Sequence, residues 1–256
     1  MHGRGYQGGG MGFGPPVTPA IIKQLLIANL AIFVLVMMMG PRAMTSLFGA
    51  TPVLFWEHGY LWQPLTYMWL HSTHSIWHIA MNCFVLWMFG SPLALVWGAK
   101  RFLRFYLLCG VGAGLFIVTM PYLFMASQGA ETLRIPTVGA SGAVYGVVLA
   151  YSLTWPDRQI MLIFPPVAFR AIWIIPVMFF MTLLGDRSGT VSHVAHLGGV
   201  VVAWFYLRRQ GQGKVLPSFN QLKFRLNRWR MRRRLRAVRR EESSGRRRDH
   251  DDRTIH

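Results

Sequence analysis

Apolar residues in this chain gather into long unbroken runs instead of alternating with polar ones. An α-helix needs about 20 apolar residues to cross the hydrocarbon core of a bilayer. Six stretches approach that length: residues 19–40, 76–98, 102–125, 138–155, 166–184 and 191–207, the fourth and sixth near the short limit. The pattern predicts an all-α membrane protein with six transmembrane helices. Residues 41–75 break it. They are rich in Trp, Tyr, Phe, Pro and His, too polar to span and too aromatic for a plain loop. Trp56, Tyr60, Trp62, Tyr67 and Trp69 suit a segment half-sunk at the membrane interface, so an interfacial or re-entrant loop is expected between the first two spans.

Charge refines this picture. Of the 256 residues, 53% are hydrophobic and only 14% charged, yet the formal net charge is +18. The positive charge is concentrated at the C-terminal end, and the spans contain no Asp or Glu. Lys100, Arg101 and Arg104 join spans two and three, while Arg158 and Arg170 flank the connection between spans four and five. Basic loops stay on the cytoplasmic side. Both termini are then cytoplasmic, which requires an even number of spans and agrees with six. A bacterial plasma (inner) membrane is the expected location. No cleavable leader is expected, because the first apolar run starts late and lacks a small-residue cleavage site.

Three parts follow from the composition. Residues 1–18 read as a flexible Gly-rich segment, residues 19–209 as the membrane domain, and residues 210–256 as a basic cytoplasmic tail. In the tail, Phe219, Leu222, Leu226 and Trp229 recur at helical spacing among arginines, the pattern of a basic amphipathic helix on an anionic leaflet. Nucleic acid is not the expected partner, since a basic run beside a span is accounted for by the bilayer. Cys83 and Cys109 lie in apolar runs without zinc spacing and read as packing residues. No cofactor and no metal are expected.

Polar side chains within spans are costly and mark function. In span two, His78 and Asn82 stand four residues apart on one helix face. In span four, Ser141 sits within Gly139-Ala140-Ser141-Gly142, and in span six His196 lies within Ala195-His196-Leu197-Gly198-Gly199. Each of these spans starts on the outer side, so all three positions share one depth. Small residues support the convergence. Gly142, Gly146 and Ala150 form one row at four-residue spacing, and Ala195, Gly199 and Ala203 form another, as in helices whose backbones approach closely.

The chemistry follows from the residue types. A serine hydroxyl attacks only when a base takes its proton, and His196 can take it and later protonate a leaving amine. With no carboxylate in any span this is a Ser-His dyad. Tyr145, one turn from Ser141, offers a surface for the imidazole, and His193 borders it; Gly139, Tyr145 and His193 are expected to line the site. His78, Asn82 and the Ser141 backbone amide are candidate donors to an oxyanion. Rival readings are a transporter, which would need broken helices or a charge relay that these spans lack, and a non-catalytic protein that binds transmembrane helices.

The sequence resembles the rhomboid family over about residues 19–207. The resemblance rests on Gly139 to Gly142 in span four, on Ala195, His196 and Gly199 in span six, and on His78 and Asn82 in span two. It implies a serine endopeptidase that cleaves transmembrane protein substrates near the outer membrane boundary, with a water-filled cavity and a gating fifth helix. Pro165, Pro166 and Pro176 beside or within that helix fit the last expectation. Two departures stand out. Gln63 follows Trp62 where many members have arginine, and Ala94 stands where an acidic residue is frequent.

Overall fold

The computed structural model describes residues 14–123, 130–161, 168–185, 193–210 and 231. The chain divides into two compact units, Met1–Gly213 and Lys214–His256. The helix expected around Phe219, Leu222, Leu226 and Trp229 lies outside the described residues, as do Pro165, Pro166 and residues 1–13.

Nine helices run through the described part of the first unit: α1 (Ala20–Met39), α2 (Pro41–Phe48), α3 (Pro52–Trp56), α4 (Gln63–Thr66), α5 (Ile76–Trp97), α6 (Ala99–Leu123), α7 (Ser141–Thr154), α8 (Ile174–Gly185) and α9 (His193–Arg209). Three of them, α1, α5 and α6, are long and apolar enough to cross a membrane. At 1.5 Å per residue the 20 residues of α1 reach about 30 Å, the thickness of a hydrocarbon core. Its outer face carries exposed Ile27, Leu30, Val34 and Met38 with no polar stripe, which suits lipid and not water. The shorter α7, α8 and α9 hold 14, 12 and 17 residues.

Two expectations change in detail. Residues 168–170 of the fifth apolar run form a strand, Ala168–Arg170, paired antiparallel with Gln159–Met161, so the chain is not wholly helical. A 3₁₀ turn, Ala171–Trp173, then leads into α8, which starts eight residues later than the apolar run. Helix α6, the third apolar run, begins at Ala99 instead of residue 102, because Gly98 adopts φ +79 and turns the chain within one residue. A side chain at that φ is strained.

The core is a close-packed group of α6, α7 and α9, with α5 on α7 and α1 on α5. Glycine sets the spacing. A Cβ on Gly199 would land on the carbonyl of Gly142, and one on Gly146 would lie 2.7 Å from Cys109 Sγ and 3.3 Å from the Gly199 carbonyl oxygen. The two small-residue rows therefore face each other. Cys109 is buried and free, a packing residue at this crossing.

The segment between α1 and α5 is less interfacial than its composition suggests. Tyr67, Met68 and Gln63 are fully buried. Tyr67 donates its hydroxyl to the Gly110 carbonyl of α6 at 2.9 Å, so it anchors the core and does not sit at a lipid boundary. Trp56 and Trp62 do keep exposed rings, while their indole N–H groups donate to the carbonyls of Val118 and Leu47. Gln63 takes over the arginine position by accepting the Thr51 backbone N–H at 3.0 Å, its amide facing the carbonyls of Ser46 and Leu47. Ala94, the other departure, is buried in the core, where a carboxylate would need a partner.

These contacts set the expected stability of three variants. Gly199→Ala should lower stability by at least about 3 kcal/mol, because backbone must move. Gly112→Ala should cost less, since the nearest atoms to its Cβ belong to the Val202 side chain and not to backbone. Gln63→Leu should cost about 1–3 kcal/mol by leaving the buried Thr51 N–H unpaired. Thermal unfolding in detergent measures all three.

Candidate functional site

Three helices start at one end of the bundle and bring their first turns together. α5 begins two residues before His78, α7 begins at Ser141, and α9 begins three residues before His196. The Ser141 hydroxyl oxygen lies 3.0 Å from His196 Nε2. The close crossing at Gly142 and Gly199 places these side chains, since each stands within one turn of it. The crossing is tight from the other side too. A Cβ on Gly142 would be 3.0 Å from the Tyr67 hydroxyl and 3.2 Å from the Ala195 carbonyl oxygen.

The imidazole is held by an aromatic face. The Tyr145 ring stacks on His196 with centroids 4.1 Å apart and planes 10° from parallel. Phe179 of α8 meets Tyr145 edge-on at 5.7 Å. His193 approaches the His196 ring edge-on at 6.5 Å. His196 is buried and Ser141 half-buried. Among the described residues no carboxylate or other side chain pairs with His196 Nδ1.

His78 joins from α5. Its Nδ1 accepts the Ser72 backbone N–H at 3.1 Å, so the ring proton of the neutral imidazole resides on Nε2. Nε2 faces Gly139, where an added Cβ would be 2.7 Å from that nitrogen and 3.9 Å from Ser141 Oγ. Gly139 also has φ +131, and its N–H donates to the Tyr67 carbonyl at 3.0 Å. Both its backbone angle and the space beside it exclude a side chain. The first amides of α7 have no preceding helical turn to bond, and no side chain caps them among the described residues.

Of the residues singled out in the sequence, Ser141, His196, Tyr145, His193, Gly139 and His78 therefore meet. Asn82 stands apart in detail. It is buried one turn along α5, and its side-chain amide donates to the His78 carbonyl at 2.8 Å, leaving one amide hydrogen for other use. His71, for which the sequence favours an interfacial or structural role over a metal-binding one, lies beside the site. It is buried, with its ring edge-on to His78 at 5.2 Å. Burial pushes the His71 imidazole down to about 3, and the neighbouring His78 adds to the shift. His74 is not drawn into the site by any recorded contact; its backbone N–H donates to the Ser72 hydroxyl at 3.4 Å. Among the described residues no group of side chains could hold a metal ion.

Comparison with known proteins gives a consistent result. Residues 58–210 match the Rhomboid domain family model. Rhomboid protein 1, mitochondrial, of Saccharomyces cerevisiae is 33% identical over 142 residues, which cover 53% of this chain and 38% of that protein. The presenilin-associated rhomboid-like protein, mitochondrial, of Mus musculus is 31% identical over 139 residues, 53% of this chain and 35% of that one. RHOMBOID-like protein 12, mitochondrial, of Arabidopsis thaliana is 28% identical over 201 residues, 74% of this chain and 59% of its own length. The chain thus spans less than two thirds of each of these relatives. All three are named as mitochondrial, which does not support the bacterial plasma membrane expected from the sequence.

The His71 environment makes a pH prediction. An ordinary histidine titrates near 6.5, and the folded-state value is about 3. Between these values the unfolded chain binds a proton that the folded chain refuses, so stability falls as pH drops below 6.5. Unfolding midpoints of His71→Gln measured at pH 7 and pH 5 should differ less than those of the unsubstituted protein.

Proposed function

The chain belongs to the rhomboid family, and on that premise we propose that it is an intramembrane serine endopeptidase that cleaves transmembrane protein substrates. The 3.0 Å separation of Ser141 Oγ and His196 Nε2 is the observation that carries this reading. Ser141 is the nucleophile and His196 its general base. The hydroxyl donates to Nε2, which puts the ring proton on Nδ1 and leaves Nε2 free to take the serine proton as the oxygen attacks a peptide carbonyl. The imidazolium then returns that proton to the leaving amine, and water repeats the cycle on the acyl-enzyme. Among the described residues no carboxylate orients the ring. Stacking on Tyr145 does so, and the π-face also favours the imidazolium when it forms.

The oxyanion is received by groups at the start of α5 and α7. His78 Nε2–H is one donor, since Gly139 borders both that nitrogen and the Ser141 hydroxyl, and the Ser141 backbone N–H is a second. Asn82 is a weaker third, because part of its amide is committed to the His78 carbonyl. Gly139 keeps the space between donor and nucleophile open, and His193 lines the site beside His196.

The same reading extends to the membrane. We take α1, α5, α6, α7, α8 and α9 as six spans, with α2 to α4 as the re-entrant segment and both termini on the side of the basic loops. The 14 residues of α7 cover only about 21 Å. A helix that short crosses the bilayer only with help from the extended residues before Ser141, which would set the nucleophile below the outer surface. Admission of a substrate helix beside α8 is the corresponding gating step; Phe179 of that helix touches Tyr145. The basic tail after residue 209 belongs on the inner leaflet.

Incubation with a model single-span substrate tests the reading. Ser141→Ala and His196→Ala should each lower cleavage by at least about 1000-fold. His78→Ala should lower kcat by about 100- to 1000-fold, and Asn82→Ala by less. Tyr145→Phe should retain turnover that Tyr145→Ala loses. Cleavage unchanged in Ser141→Ala would end the proposal.

A further inference from the structure

Cations collect at the end of the bundle opposite the Ser141 site, and one group of them is built into the fold. Gly98 joins α5 to α6 at a sharp corner. Lys100, Arg101 and Arg104 follow on the first turns of α6, and Arg208 and Arg209 end α9. A row of rings ties the two places together. The Arg101 guanidinium lies 4.8 Å from the Trp97 ring centroid, Trp97 meets Phe105 edge-on at 5.2 Å, and Phe105 meets Tyr206 at 5.1 Å.

No acid answers these charges among the described residues. Glu57 lies at the far end of α6, within reach of Tyr122, and Glu131 follows that same end. Asp157 is taken by Arg170. Arg101 does not extend freely into solvent. It is half-buried, and its Nε is shielded from solvent against the Trp97 face. Such a guanidinium is fixed in advance and loses little freedom on meeting an anion.

Beneath the charges the surface is apolar. Leu108, one turn deeper than Arg104 on the same helix face, is exposed, and so is Phe205, one turn deeper than Arg208 and Arg209. Each helix therefore presents a cation above an exposed apolar side chain. A phospholipid has the matching order, phosphate above acyl chain, whereas a soluble phosphate would use only the upper half.

We propose that this corner, bounded by the start of α6 and the end of α9, binds the headgroup of an anionic phospholipid. Arg101 and Arg104 hold the phosphate from one side and Arg208 and Arg209 from the other, with acyl chains against Leu108 and Phe205. The site is separate from the Ser141 cluster and does not depend on proteolysis.

The test uses the full chain in a neutral detergent, with the midpoint of thermal unfolding as readout. Phosphatidylglycerol should raise the midpoint by about 3 °C or more, and phosphatidylcholine with the same acyl chains, or inorganic phosphate alone, should not. R101Q/R104Q should lose the phosphatidylglycerol increment, whereas Arg42→Gln should keep it. The variant R104Q/R208Q/R209Q changes only exposed side chains and guards against a packing defect from loss of Arg101; it should lose the increment too. An equal increment from phosphatidylcholine would overturn the site, as would one reproduced by inorganic phosphate. So would an increment kept in full by both arginine variants, which would assign the lipid to basic residues elsewhere in the chain.

Discussion

The molecule depends on how closely two helices can approach. At the crossing of α7 and α9 the chain places Gly142 against Gly199 with no room for a methyl group. Lipid tails are as apolar as leucine, so helices in a bilayer gain little from hiding side chains and associate through close packing instead. This crossing is the tightest such contact in α7, and both Ser141 and His196 lie within one turn of it. Their 3.0 Å separation is thus fixed by backbone and not by flexible side chains. Pressure from α6 completes the seam, with Ala113 and Cys109 under α7 and Phe116 under Gly198.

The segment between α1 and α5 solves a second problem. Irregular backbone within a bilayer must be satisfied by protein or water. Here side chains supply the missing bonds. Gln63 receives the Thr51 amide, Thr66 donates to the Phe48 carbonyl at 2.8 Å, and Tyr67 reaches α6. The segment then supports the site, because Tyr67 receives the Gly139 amide on its carbonyl and Ser72 fixes the tautomer of His78. A neutral glutamine in the arginine position fits this buried setting, since it pairs with backbone groups without bringing a charge into the core.

Much of this was legible in the sequence. The apolar runs located α1, α5 and α6 within about three residues, because an uninterrupted stretch of that length has few other solutions in lipid. The polar residues inside spans located Ser141, His196 and His78, since each would be too costly there without a use. The paired small residues indicated which faces meet. Other features were hidden. Tyr67 has the composition of an interfacial residue, and only its contact with Gly110 in the folded chain reveals a core anchor. The start of α8 was obscured because residues early in that apolar run, Ala168, Phe169 and Arg170, pair as a strand with Gln159–Met161 and do not join the helix. His71 required knowing that the loop folds back onto α5. The lengths of α7, α8 and α9 leave the six-span reading to rest on the proposed membrane arrangement.

The central claim is that the Ser141 hydroxyl is activated by the His196 imidazole. Labelling of the detergent-solubilised protein by a fluorophosphonate tests it most directly, because the probe reacts only with an activated serine. The account predicts one labelled site, located at Ser141 by peptide mass analysis and lost in His196→Ala as well as in Ser141→Ala. A folded protein that takes no label at Ser141, or a His196→Ala variant that labels as fast as the original, would contradict it.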